Sequence, residues 1–326
     1  MKRFKNILFA RSVVHNEAAS RRALALAKHN DAALTFLETP EEIPDLSAFG
    51  LPNDAINQMK EQALAASHED LEKLAELKDQ NVGEEKIEVE FRVVEGIRFL
   101  TIIREVLRQN HDLVIKSTEG EVSLVSRLFS TTDMHLLRKC PSPIWLIKPD
   151  CSTSLKQIVA AVDFDQPGET GENETLNKQI MEMAVSLAYV EGAKLHIVHA
   201  WQPIGEPVLR SGRAGMPMRE VEEYIEDIGG FRRRRLAELM EQVRDWVGRD
   251  IYEAVKPVTH AIKGRAQEVI VKQTKDLDAD LLVMGTVGRV GIPGFFIGNT
   301  AESILNGIDC SVLAVKPAGF VSPVTL

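Results

Sequence analysis

A chain of 326 residues with 44% hydrophobic and 27% charged residues has room for two domains of ordinary size, and its composition excludes general disorder and a coiled coil. A formal net charge of -9 opposes a phosphate backbone over the surface as a whole, so nucleic acid is not expected as a partner. Three cysteines, Cys140, Cys151 and Cys310, lack any Cys-x-x-Cys spacing; they suit a reducing compartment and are read as buried or incidental thiols. The opening Met1-Lys2-Arg3-Phe4-Lys5-Asn6 leads into only a short apolar run, Ile7 to Ala10, and no later stretch approaches membrane-spanning length. A cytoplasmic chain with no membrane partner is expected.

In chain order, a strand is expected over Asn6 to Ala10, a helix over Glu17 to His29 and a strand over Ala33 to Glu38. A long helix about Asp54 to Leu77, a strand Ile87 to Val94, a helix Ile97 to Arg108 and a strand Leu113 to Lys116 follow. A short helix Thr132 to Arg138 and a strand Pro143 to Lys148 close this half. The order then recurs: strand Lys156 to Asp163, helix Glu174 to Glu191, strand Lys194 to Ala200, long amphipathic helix Arg219 to Val247, and strand Val255 to Ile262. A helix Ala266 to Lys275, strands Asp280 to Met284 and Cys310 to Val315, and the short helix Thr300 to Leu305 between them complete it.

The recurrence is also written in the residues. Laid on 280–317 at an offset of 168, residues 112–149 align without a gap and share nine identities, among them Asp112/Asp280, Thr118/Thr286, Gly120/Gly288, Lys148/Lys316 and Pro149/Pro317. The same offset pairs Gly96 with Gly264. Two domains, 1–150 and 151–326, are therefore expected. Each would be a doubly wound α/β unit of five parallel strands with helices on both faces, whose ligand site lies beyond the carboxyl ends of the strands where the winding reverses.

At that place the second copy carries five glycines in fourteen residues, from Gly285 through Gly288, Gly291 and Gly294 to Gly298. Glycine allows positive φ and close approach of a ligand to backbone amides, and Gly298 immediately precedes a helix start at Asn299-Thr300. A strand-to-helix turn of this kind can cradle phosphate oxygens, aided by the helix dipole. On composition alone, a tight surface loop explains the glycines equally well.

The spacing Gly285-x2-Gly288-x9-Gly298-Asn299 resembles the G-2X-G-9X-G-[S/T] motif of the ATP-binding members of the universal stress protein family, with Asn299 standing where the family has Ser or Thr. The resemblance extends to the opening strand Ile158 to Asp165 and to the strand Leu195 to Ala200, covers nearly the whole chain, weakens over 40–85 and 202–255, and is greatest to the family's tandem members. It implies the adenine nucleotide alpha hydrolase-like fold and ATP or a related adenine nucleotide as ligand, with or without magnesium. It also implies a set of nucleotide-binding residues: Asp163 at the end of the first strand, the backbone near Ala200 against adenine, and Met284, Gly285, Thr286, Gly288, Arg289, Gly298, Asn299 and Thr300 around the phosphates. The final strands, Ile144 to Ile147 and Val312 to Val315, are the family's pairing surfaces, so the resemblance allows an intramolecular pseudo-dimer of the two halves and also a homodimer.

The first half departs from this pattern. Ser117, Glu121, Ser123 and Ser130 stand at the places of Gly285, Arg289, Gly291 and Gly298, Glu119 adds charge, and Ser12 or a neighbour replaces the strand-end aspartate. No ATP is expected there by the family mode, and a structural role or another ligand remains open. Elsewhere, His196 and His199 sit at an odd spacing on one strand and point to opposite faces, so no metal site is expected. The run Arg232 to Arg235, near Glu238 and Glu241, reads as a solvated helix face. No Gly-x-Ser-x-Gly elbow, Walker lysine loop or paired nucleophile and base is present, so no catalytic residue is assigned. Three functions stay open at this point: a regulated nucleotide-binding module, a ligand-free scaffold, and a slow ATP hydrolase.

Overall fold

The computed structural model describes residues 2–11, 16–40, 43, 47–82, 87–118, 129–149, 154–164, 172–286 and 297–326. The chain forms β1 (Asn6–Ala10), α1 (Glu17–Asn30), β2 (Ala33–Glu38), a 3-10 turn at Ser47–Phe49, α2 (Asn53–Val82), β3 (Val89–Val93), α3 (Arg98–Gln109), β4 (Leu113–Ser117), α4 (Thr131–Lys139) and β5 (Ile144–Ile147). It continues with β6 (Gln157–Ala161), α5 (Glu172–Glu191), β7 (Lys194–Trp201), α6 (Glu206–Arg210), α7 (Met218–Val247), α8 (Arg249–Val255), β8 (Val258–Lys263), α9 (Ala266–Asp276), β9 (Leu281–Gly285), α10 (Asn299–Gly307) and β10 (Ser311–Val315). This is an α/β fold of mainly parallel strands.

Two compact units result, one holding Met1–Thr153 with Ser311–Leu326, the other Ser154–Gly288 with Gly298–Cys310. In the first, the strand order is β3-β2-β1-β4-β5-β10. The five strands of the first sequence copy are parallel, and winding reverses between β1 and β4, which pair through Ile7↔Leu113 to Ala10↔Lys116. β10 belongs to the second sequence copy, yet lies in this unit antiparallel to β5, with Val312 opposite Leu146 and Ala314 opposite Ile144. Its successor Lys316 is buried. Its ammonium donates to the Leu137 carbonyl near the end of α4 and lies 4.8 Å from the Phe320 ring centre, and burial lowers its pKa to about 8.

The second unit has the order β9-β6-β7-β8, all parallel, with the winding reversed between β6 and β9. β6, β7 and β9 are near-continuous apolar runs because helices cover such strands on both faces, whereas β8, at the edge, is largely exposed.

The repeated residues have repeated roles. Asp112 accepts from the amides of Lys5 (2.7 Å) and Asn6 (3.2 Å), tying the start of β4 to the start of β1. Asp280 does the same for Lys156 (2.6 Å) and Gln157 (2.9 Å) at the starts of β9 and β6. Gly96 and Gly264 hold positive φ, +134° and +152°, just before α3 and α9, a conformation that L side chains rarely adopt.

Two helices do not follow from periodicity. α6 and α8 are only five and seven residues long, too short for a 3.6-residue stripe to register. α8 shortens the strand expected from Val255: Gly248, at φ 87°, breaks α7, Lys256 ends α8 in the left-handed region, and extended chain begins only at β8. Replacing Asp112 or Asp280 by Ala is expected to lower unfolding free energy by about 1–3 kcal/mol each, since two amides lose a charged acceptor. Urea midpoints of the two variants check this.

Candidate functional site

In the second unit three strand ends converge at the winding reversal. Ala161 pairs with both Val198 and Met284, so two residues further on Asp163, Ala200 and Thr286 are brought to one level. Asn177 of α5 fixes Asp163 through its backbone, accepting from its amide at 3.3 Å and donating to its carbonyl at 2.6 Å. Asp163 Oδ1 accepts from the Phe164 amide at 2.9 Å, and the Asp163 side chain is 61% exposed, facing solvent at the strand end. Ala200 is partly exposed and Met284 is buried in β9.

Gly285 and Gly298 serve purposes other than positive φ. Gly285 lies in β9, where an added Cβ would stand 2.7 Å from Leu176 Cδ2 of α5; its glycine is a packing requirement. Gly298 is the N-cap of α10 at φ -63° and ψ 143°, and its amide donates to the Thr286 carbonyl at 2.9 Å, returning the chain to the end of β9. Thr286 is fully buried, and its hydroxyl has no hydrogen-bond partner among the described residues. Asn299 and Thr300, in the first turn of α10, are exposed. Gly288 and Arg289 lie outside the described residues, as do Ser12, Glu119, Gly120, Glu121 and Ser123 of the first copy.

The two copies of the short helix start differently. α4 begins at Ser130 with a reciprocal capping box to Asp133, whereas Gly298, at the same place before α10, has no side chain with which to cap its helix. The first-turn amides of α10, which an α-helix cannot satisfy internally, therefore lack that acceptor and carry the positive end of the helix dipole.

His199, which the sequence presents only as a metal-ligand candidate, is a neighbour of Asp163. It is buried, its Nδ1 lies 3.2 Å from the Val162 carbonyl and 3.9 Å from Asp163 Oδ1, and its ring meets Phe164 edge-on at 4.7 Å. Its position one residue before Ala200 is the available signal. His196 has a different set of partners: Gln157 Oε1 accepts from its Nε2 at 3.1 Å, which leaves Nδ1 to accept from His260 Nε2 at 3.0 Å. Among the described residues no three His, Cys, Asp or Glu side chains come together as a metal site. The arginine run is not wholly solvated. Arg232 is buried, Arg235 reaches Glu174 and Glu238 at 3.4 Å each and lies over the Phe164 ring, and Arg233 pairs with Glu226. The amphipathic stripe of α7 turns Arg232 inward together with Leu236 and Leu239. Cys140 and Cys310 are buried free thiols, and burial pushes Cys140 up to about 12. No helix among the described residues is long and apolar enough to cross a membrane.

The family model described as "Universal stress protein family" matches the chain twice in tandem, over residues 3–148 and 155–316. The chain belongs to the universal stress protein family. It is 34% identical over 245 residues to Universal stress protein E of Escherichia coli K12, spanning 74% of this chain and 72% of that one. To the protein of the same name from Photorhabdus laumondii it is 30% identical over 242 residues, 73% and 72% of the two chains. Among solved structures it resembles a functionally unknown protein from Pseudomonas aeruginosa PAO1 with a TM-score of 0.67 at 25% identity, covering 97% of this chain and 94% of that one. A universal stress protein from Archaeoglobus fulgidus shares the fold, with a TM-score of 0.59 at 16% identity over 95% and 98% of the two chains.

Gly285→Ala is expected to destabilise the second unit by about 1–3 kcal/mol through overpacking against Leu176, with Leu176→Ala in the same chain recovering part of the loss; thermal denaturation of the two variants measures it. The imidazole pair predicts a pH effect. Burial lowers both His196 and His260, and for His196 the neighbouring His260 and Lys194 lower it further. The unfolded chain takes up protons as pH falls through about 6.5 while the folded pair resists them, so this contribution to stability is present above that pH and lost below it. His260→Gln, which keeps a donor toward His196, is expected to flatten the decline in urea midpoint between pH 7.5 and 5.

Proposed function

We propose that the chain is a stress-response module whose second copy, residues 151–326, binds ATP or a related adenine nucleotide, and that regulated binding rather than turnover is its output. The observation that carries this reading is the helix start at Gly298. It has no internal cap, it is tied to Thr286 at the end of β9, and it stands one strand away from the exposed carboxylate of Asp163.

Anionic phosphates are the complement of such a helix start. The amides of Asn299 and Thr300 and the Thr300 hydroxyl would hold phosphate oxygens at the helix start that Gly298 opens, with Gly288 and Arg289 completing the cradle and magnesium accompanying the phosphates where present. Asp163 would accept from ribose hydroxyls, His199 beneath it would keep that strand end in place, and the backbone at Ala200 would meet adenine. The sequence names no base to orient an attacking water, so the proposal is binding rather than hydrolysis. The reading puts the module in the cytoplasm, its two sequence copies associating through their final strands as an intramolecular pseudo-dimer, with a homodimer of such chains equally allowed.

Calorimetric titration of nucleotide-stripped protein with ATP tests it. The expected result is micromolar affinity, on the order of -8 kcal/mol, lost at least tenfold in Gly298→Glu, which sets bulk and negative charge at the helix start, and reduced in Asp163→Ala. Absence of heat and of any thermal shift in the parent protein would instead establish a ligand-free scaffold.

A further inference from the structure

The first unit does not leave its helix start open; it fills it from within. Lys116, in β4, and Asp133, in the first turn of α4, are both completely buried, with Nζ 3.0 Å from Oδ1. The other carboxylate oxygen, Oδ2, accepts from the Ser130 amide at 2.8 Å and from the Ser130 hydroxyl at 2.9 Å, while that hydroxyl accepts from the Asp133 amide at 3.2 Å. Lys116 also donates to the Ser117 carbonyl at 3.0 Å. At the offset of 168 these residues stand where the second unit has Met284, Gly285, Gly298 and Ala301. The strand end and helix start are therefore the same, but a buried ammonium and a buried carboxylate replace a methionine and an alanine.

We propose that Asp133 is an internal substitute for a ligand anion: the first unit carries a self-occupied cradle, and Lys116 with the start of α4 forms a latent anion site that opens only when the carboxylate is removed. An ammonium without water needs a permanent counter-charge, and Asp133 supplies it from the chain. The unit is thus independent of any soluble anion. The inference stands on first-unit contacts and is unaffected by whether the second unit binds nucleotide.

The test uses the full chain, melted in inorganic phosphate and in chloride at matched ionic strength, as wild type, Asp133→Ala, and Lys116→Met/Asp133→Ala. The double variant installs the pair found in the second unit, whose own cradle is common to all three proteins. In chloride the single variant is expected to melt at least about 5 °C below wild type, because the buried Lys116 ammonium loses the Asp133 carboxylate. Phosphate should return at least half of that loss with saturation, exceeding its effect on wild type and on the double variant. The double variant should regain most of the loss in chloride alone. Asp133→Asn keeps the shape and an acceptor for Ser130 while removing the charge, and should also melt lower. The proposal is overturned by a single variant no more responsive to phosphate than wild type, by a double variant no more stable than the single, or by an Asn variant as stable as the parent.

Discussion

The amides in the first turn of an α-helix have no carbonyl of their own helix to bond, and in a parallel α/β unit they gather at the carboxyl ends of the strands, beside the reversal of winding. Each copy of this chain must satisfy them at the same place, before α4 in one unit and before α10 in the other. The two solutions are opposite. Ser130 and Asp133 satisfy the first set internally, and the carboxylate this requires calls for a cation, which Lys116 provides from the neighbouring strand end. Gly298 leaves the second set open, and no buried charge is needed beside it: Met284 and Ala301 are apolar.

The difference is energetic as well as chemical. A buried ion pair offers little net stability over an apolar pair of similar size, but it punishes the loss of either member. The first unit is therefore committed to its internal occupant. The second has no side-chain cap at its helix start, and under the proposed function an anion from solution would supply the missing acceptor. One repeated arrangement thus carries a side-chain cap with its own counter-charge in one unit and neither in the other.

Much of this organisation was legible in the residues. Strand and helix order followed from hydrophobic period, and the gap-free repeat fell on positions that the backbone depends on. Asp112 and Asp280 each take two amides at strand starts, and Gly96 and Gly264 hold positive φ. The Lys116–Asp133 pair was not legible, because its members are 17 positions apart and meet only when β4 and α4 are folded beside each other. Taken singly, each residue looks like a loss of the motif rather than a replacement for it. His199 was missed as a neighbour of Asp163 for the same reason, its contact being made between adjacent strands. The inward turn of Arg232 was hidden by the three arginines that follow it, and α6 and α8 by their brevity.

The placement of β10 has a consequence for how the protein is made. The strand that covers the edge of β5 is translated only after the residues of the second unit, although the four strands beside β5 have long since emerged. Until then the nascent first unit presents Ile144-Trp145-Leu146-Ile147 as an uncovered apolar edge, the type of strand that pairs promiscuously with other chains. Completion of the amino-terminal sheet is thereby coupled to translation of the second sequence copy. A chain that stops short of Ser311 would leave its damage far upstream, at β5, a strand whose own residues were all translated correctly.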